Sequence, residues 1–356
     1  MDRQKKTTNL VKISKNDSKN NKKVKIIVLF AIILIFSSLC LLFNVLNPLI
    51  VTWLEKDFSI VSARGNLIVH FVDVGQGDAI AINLPDGKVC VIDAGPVNST
   101  AKLMTCLTEK VMNSKRNKTI DYLILTHADS DHIGGAEKLV KTFDFGTIYM
   151  PMLDGETETF KKVQGLVDKE NCSIEKFNKE IEIQDNFTLK LFPPLAYTDM
   201  NNTCPLIKLE FYGKTFLFTG DIEAKAEKQY VALYGDELDI DVLKVGHHGS
   251  KYSSCEEFLA CTTPKYAIIS SGNRYGHPNE ETIERLSNVN ANIVRTDASG
   301  NIMFAVGKNY DLSLLTGQYV VSGFIFDYRI IVLIIDVVLI GNIVIILIKK
   351  NKKQKN

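Results

Sequence analysis

The stretch Thr126-His-Ala-Asp-Ser-Asp-His-Ile-Gly-Gly135 constrains this chain more than any other. Between His127 and His132 it sets an imidazole, the carboxylates of Asp129 and Asp131, and a second imidazole within six residues. Ionisable groups this close perturb one another, and a divalent cation is the usual remedy. Upstream, the run from Asp121 to Thr126 reads as a buried strand. Downstream, Gly134-Gly135 followed by Ala-Glu-Lys-Leu-Val-Lys reads as a helix start. The cluster therefore falls in a loop where a strand ends and a helix begins, the place α/β folds use for their sites. A mere helix-capping turn needs one Asp or Ser, not two His and two Asp.

Four other segments repeat this grammar of an apolar strand ending in chemistry. Asp221 closes Thr215-Phe-Leu-Phe-Thr-Gly-Asp221, where it can bridge two ions or cap a helix over 222–234. His247-His248-Gly249-Ser250 follows Val242-Leu-Lys-Val245. Of that pair, His248, next to glycine, is assigned to metal, and His247 to the substrate phosphate or its leaving group. His277, in Tyr275-Gly-His-Pro278, follows the strand Tyr266–Ser271 and reads as catalytic or substrate-contacting, or else as a surface turn. Asp73-Val-Gly-Gln-Gly-Asp78 joins the first two strands; either Asp can brace the metal loop, or the segment is an ordinary hairpin turn.

Between these motifs, strands and helices alternate. Strands are predicted at Leu67–Val74, Ala79–Leu84, Lys88–Asp93 and Gly146–Met150, with helices at Thr100–Met112 and 135–142. The second half has strands near Phe187–Phe192, Pro205–Tyr212, Thr215–Thr219, Asp241–Val245, Tyr266–Ser271, Ile293–Thr296 and Asn301–Val306, with helices over 222–234 and 279–288. Residues 154–185 are charged and irregular around a helix near Glu158–Lys169, and read as a lid or specificity insert. Two such halves, each a sheet with outer helices, predict an α/β four-layer αββα sandwich.

In combination, THADSDHIGG, DVGQGDA (Asp73–Ala79), VIDAG (Val91–Gly95), FTGD (Phe218–Asp221), KVGHHGS (Lys244–Ser250) and YGHP (Tyr275–Pro278) resemble the extracytoplasmic hydrolase domain of the ComEC competence family, which has the metallo-β-lactamase fold. The resemblance covers residues 66–317 in the right order. It implies a metal-dependent hydrolase of the phosphodiesterase or nuclease class. The family's multi-helix channel has no counterpart here, so DNA uptake is not among the expectations. Where the superfamily signature has its second imidazole this chain has Asp129, and between Phe187 and Thr219 it has no His, only Asn201 and Asn202. The implied first metal site is then His127, Asp129 and a bridging Asp221; the second is Asp131, His132, Asp221 and His248. Exchange of imidazole for carboxylate favours harder ions, so one or two ions of Mn²⁺ or Zn²⁺ are expected. Asp131, His247 and His277 are the expected catalytic residues, with Asp131 orienting water. Asp73, Asp78, Asn202 and Ser250 are expected to contact substrate or support the ligands.

Charge distribution adds a location. Residues 1–48 carry nine Lys or Arg against two acids, and residues 330–356 carry five Lys against one Asp. That leaves 28 basic and 38 acidic residues in 49–329, a net of −10. Ile26–Leu46 is 21 residues without a charge, and Ile330–Ile348 is 19 residues interrupted by Asp336 and Asn342. A bilayer-spanning helix needs about 20. With lysines on both terminal sides, two membrane helices at 26–46 and 330–348 are expected, with the basic tails 1–25 and 349–356 in the cytoplasm and the hydrolase outside. A buried or interfacial helix is the alternative for 330–348, since Asp336 sits at its middle. The seven cysteines show no CxxC spacing; Cys40 lies in the first apolar segment, Cys90 reads as a core residue, and the other five are open to disulfide pairing. The acidic middle argues against a long polyanion, though Lys244, Lys251, Lys265 and Arg274 read as a local basic patch. A cell-wall phosphoester such as teichoic acid, a thioester or lactone, and a non-catalytic binding module remain as alternatives.

Overall fold

Alternation along the strands builds three apolar layers, and the layers define the architecture. The computed structural model describes residues 65–112, 118–195, 199–272, 275–307 and 311–316, all within one compact unit, Val61–Ile325. The described residues include β1 (Leu67–Phe71), β2 (Ala79–Asn83), β3 (Val89–Ala94), β4 (Thr119–Ile124), β5 (Asp144–Met150), β6 (Ser173–Lys176), β7 (Ile181–Gln184), β8 (Thr188–Phe192), β9 (Leu206–Phe211), β10 (Lys214–Phe218), β11 (Val242–Lys244), β12 (Tyr266–Ile269), β13 (Asn292–Arg295), β14 (Ile302–Val306) and β15 (Leu312–Thr316). One sheet has the order β15-β14-β1-β2-β3-β4-β5-β6, the other β13-β12-β11-β10-β9-β8-β7.

Side chains two apart share a face. Leu67, Val69 and Phe71 of β1, Ile80 and Ile82 of β2, Phe216 and Phe218 of β10 and Phe304 of β14 pack between the sheets. The opposite faces of β2 and β3, through Ala79, Ala81, Val89 and Val91, meet helical residues such as Leu103, Leu139 and Phe160. Leu217, Leu243 and Ala267 meet Ala226, Tyr230, Phe258 and Leu286 on the other side. The result is the αββα sandwich.

Strand direction collects the chemistry. β3, β4 and β5 run parallel, as do β10, β11 and β12. Their C-terminal ends lead into Asp93, His127, Asp221, His247-His248 and Ser270. The hairpin loop between β1 and β2 returns to the same edge, because Ala79 pairs with Ala94 at the end of β3.

Several expectations shift. Residues Ser130–Ile133 form a helical turn rather than loop, separate from the helix Ala136–Val140. The insert at 154–185 contributes the helix Glu158–Val167 and then β6 and β7, each the outermost strand of its sheet. The helix expected at 222 starts at Ala224. The helix Glu256–Thr262 and β15 were not foreseen. Cys90, Cys106, Cys172, Cys204, Cys255 and Cys261 are all free thiols, so no disulfide forms among the described residues. The apolar segments 26–46 and 330–348 and the two basic tails lie outside the described residues; within those, no helix is long and apolar enough to cross a membrane.

Candidate metal centre

Two imidazoles meet tip to tip at the strand ends. His132 Nδ1 lies 2.8 Å from Asp93 Oδ2, and His248 Nδ1 lies 2.9 Å from the Ser270 carbonyl oxygen. A carbonyl can only accept, so the His248 Nδ1 carries a proton, and His132 Nδ1 is set to donate to Asp93 in the same way; each Nε2 then points into the cluster, where an ion would displace any proton it holds. Those two Nε2 atoms are 3.2 Å apart and buried. Asp93 also accepts from the Thr126 N–H at 2.8 Å and the Thr126 hydroxyl at 2.7 Å. Thr126 Oγ1 is 3.0 Å from His127 Nδ1, so the same carboxylate orients a third imidazole through one hydroxyl. Asp93 holds a left-handed φ of 55° to do this, and His247 and His248 have φ of 44° and 53°. Such conformations cost about 1–3 kcal/mol each and persist where the surroundings impose them.

Asp221 lies at the centre. Its Oδ1 is 3.2 Å from His132 Nε2, and its Oδ2 is 3.5 Å from His248 Nε2 and 3.9 Å from His127 Nε2. It makes no helix cap: Glu223 holds the N-cap position of the helix Ala224–Tyr234. Asp131 Oδ2 is 3.5 Å from His248 Nε2, and Asp129 Oδ2 is 3.6 Å from His127 Nε2. Asp129 is the N-cap residue of Ser130–Ile133 but its side chain makes no cap bond, and that side chain is 48% exposed. Protonation follows the charges. Burial opposes a charge on His132, but Asp221 and Asp93 outweigh it and raise its pKa well above the ordinary value. Burial likewise opposes charge on His248, yet Asp221 and Asp131 push it up to about 9. His127 is pushed up to about 10 against burial, chiefly by the Cys204 sulfur. Asp221 and Asp131 fall below the carboxylate range against the same burial, held there by His132 and His248.

The other predicted residues divide. Asp78 lies at the cluster: its Oδ1 is 3.8 Å from His248 Nδ1, its Oδ2 takes Lys244 Nζ at 2.9 Å, and its N–H donates to the Asp131 carbonyl at 3.2 Å. Gly77 must be glycine here, because a Cβ would stand 2.2 Å from that carbonyl oxygen. Both oxygens of Asp73 are engaged elsewhere, by Lys102 Nζ at 3.1 Å and the Gly75 N–H at 3.1 Å. Asn202 is buried; its Oδ1 accepts from Glu223 N at 3.0 Å and its Nδ2 donates to Asp199 at 2.7 Å, so it ties two loops together. Ser250 is buried and accepts from Tyr252 N at 3.3 Å. His247 lies 3.8 Å from Asp221 through Nε2, with Nδ1 3.2 Å from Glu223 Oε1, and its ring centroid is 5.4 Å from that of His277. Sequence reasoning missed Asp93, Glu223 and the pairing of Lys244. Asp93 and Lys244 each carried a signal, a charge inside an apolar strand run that can only be buried with a partner.

These residues fit a divalent cation. The two Nε2 atoms, 3.2 Å apart and buried, cannot both carry a proton without crowding, and a cation that takes both lone pairs displaces those protons. His127 Nε2 and Asp221 Oδ1 are buried without a hydrogen-bond partner, the condition of donor atoms waiting for an ion. Asp78, His132, Asp221 and His248 each bring a donor atom within 4.8 Å of the others.

Comparison with known proteins agrees with this geometry. ComE operon protein 3 of Bacillus subtilis (strain 168) is 33% identical over 274 residues, covering 70% of this chain and 35% of that protein. Competence protein ComA of Neisseria gonorrhoeae is 30% identical over 240 residues, covering 66% of this chain and 32% of its own. Recombination protein 2 of Haemophilus influenzae is 31% identical over 237 residues, with 66% and 28% covered. The chain thus spans about a third of the length of these curated relatives. Residues 72–272, more than half of the chain, match the metallo-beta-lactamase superfamily. That match takes in every candidate ligand from Asp78 to His248, and the chain belongs to this superfamily of metal-dependent hydrolases, with a domain of the ComEC-like kind.

Proposed function

We propose that this chain is a membrane-anchored, extracytoplasmic phosphodiesterase, with DNA as the first substrate to test. The observation that carries the reading is the arrangement around Asp221: donors on both sides of one carboxylate, with His247 and His277 beside them. Divalent cations bound there, Zn²⁺ or Mn²⁺, supply an acidified water near pKa ~7 and neutralise charge on the non-bridging oxygens of a phosphodiester. The chain's residues do the rest. Asp131, with its side chain 30% exposed, is placed to orient the attacking water. Glu223 holds the His247 ring with Nε2 toward the cluster, where it can protonate the departing oxygen. Burial and the neighbouring His247 and His248 keep the His277 pKa below 6.5, so at neutral pH it offers a hydrogen bond rather than a charge. Anchoring rests on the lysine-flanked apolar segments 26–46 and 330–348.

One observation favours a second reading, a short phosphodiester or a cell-wall polymer such as teichoic acid. Two members of the expected basic patch are already paired with carboxylates. Lys244 is fully buried against Asp78, Lys265 is paired with Asp241 at 2.5 Å, and Arg274 lies outside the described residues. Lys251, over the Tyr252 ring at 5.2 Å, remains. The test is hydrolysis by the full chain, with each metal, of single-stranded DNA, bis-p-nitrophenyl phosphate, teichoic acid and a thioester. Turnover of the phosphodiesters supports the proposal, and their relative rates choose between its two forms. Turnover of the thioester alone replaces it. A metal-loaded chain inert to all four is a binding module.

A further inference from the structure

The first metal site, as the sequence implies it, is short of a donor, and a buried sulfur lies against the backbone of its shared carboxylate residue. Cys204 is fully buried, and its Sγ accepts the Asp221 backbone N–H at 3.4 Å, beside the shared carboxylate. The chain is shaped around that sulfur. A Cβ on Gly220 would stand 2.8 Å from Cys204 Sγ and 3.3 Å from Thr126 Oγ1, so glycine leaves the space for both. Across the same Thr126 hydroxyl is a second sign of a ligand. His127 is fully buried, its Nδ1 is held by Thr126, and its Nε2 has no hydrogen-bond partner.

We infer that Cys204 is a metal ligand, completing with His127, Asp129 and Asp221 a site of mixed nitrogen, sulfur and oxygen donors. Ion binding replaces the thiol S–H bond by a metal–sulfur bond, and the proton leaves to solvent. The Asp221 N–H stabilises the thiolate so formed, as hydrogen bonds to ligating sulfur do. A thiolate is a soft donor and selects Zn²⁺ or Co²⁺ over Mn²⁺. The carboxylate-for-imidazole argument for Mn²⁺ therefore does not hold on the His127 side. This inference rests on the metal-hydrolase reading and adds a donor to it.

The experiment is cobalt substitution of the full chain with metal content measured alongside. Co²⁺ bound on the His127 side should give a sulfur-to-cobalt charge-transfer band in the near ultraviolet. Cys204→Ser should lose that band and keep the visible cobalt bands of the His132 side. Should that variant not fold, one retaining Cys204 alone of the seven cysteines must keep the band. Zinc-edge X-ray absorption of the unaltered chain needs no variant and should show a sulfur neighbour at ~2.3 Å. Bound metal with only nitrogen and oxygen neighbours, or a band that survives Cys204→Ser, overturns the inference and leaves the hydrolase reading standing. A chain that binds no metal overturns both.

Discussion

On one side of Asp221, His132 and His248 are clamped directly, by Asp93 and by the Ser270 carbonyl, with the buried Asp78–Lys244 pair behind His248. On the other side, His127 is steered through the Thr126 hydroxyl, its Nε2 is unpartnered, and Asp129 is half exposed. The first side is preorganised before any ion arrives; the second depends more on the ion to set its geometry. Direct bracing fixes ring orientation and tautomer and so raises affinity, which predicts unequal sites. The largest effect should come from the group both sides share. Asp221→Ala should lower turnover by ~10⁴-fold and release metal from both sides, read by rate and metal content together. Loss from one side alone would show that Asp221 does not bridge.

Next in size is the support behind His248. Lys244 is fully buried, and its Nζ is 2.9 Å from Asp78 Oδ2 and 2.7 Å from the Val245 carbonyl. Lys244→Met leaves a buried carboxylate without its partner, a loss of about 3–5 kcal/mol. Urea unfolding measures it, and a change under 1 kcal/mol would mean the pair does not hold this side together.

Proton binding distinguishes the sides in the metal-free chain. His248 at about 9 and His127 at about 10 both lie above the ordinary 6.5, so the folded state holds protons the unfolded state has released. A raised pKa stabilises fully below the unfolded value and loses that contribution as pH rises through the folded one. In chelator, the urea midpoint should therefore fall above pH 6.5, first through about 9 and then about 10. His248→Asn should make the fall between pH 6.5 and about 9 shallower and leave the part between about 9 and about 10. For the same reason metal binding should weaken as pH drops, because the ion displaces these protons.

Much of this was legible in sequence, for a definite reason. His127, Asp221 and His248 follow closely on apolar strand runs, with Asp129, Asp131 and His132 in the turn just after the first, and parallel strands bring such ends to one edge. The residues that escaped lack that pattern or belong to contacts between distant segments. Cys204 stands alone between the polar Asn201-Asn202-Thr203 and Pro205, and nothing local shows that its sulfur lies against the Asp221 backbone. Asp73 and Asp78 are equivalent on paper; only the fold sends one to Lys102 and the other to Lys244. β6 and β7 are short edge strands with exposed, charged faces, so their alternation is too weak to read.

The carboxylate behind both sides tests the comparison more finely. Asp93→Asn keeps the shape but cannot accept from Thr126 and from His132 as an ionised group does. Metal affinity should fall ~10–100-fold on both sides, measured by competition with a chelator.

The smallest effect should fall on one side only. Thr126→Val removes the hydroxyl that donates to Asp93 and meets His127 Nδ1, and keeps the backbone N–H that also binds Asp93. His132 retains its direct contact with Asp93, so its ring stays oriented. His127 loses the hydroxyl that meets its Nδ1 and can turn its Nε2 from the site. A two-step cobalt titration should then show the weaker step shifted by up to ~10-fold and the tighter step unmoved. Equal shifts in both steps would mean that Thr126 supports Asp93 itself, and that the two sides are one coupled unit rather than a braced site beside a looser one.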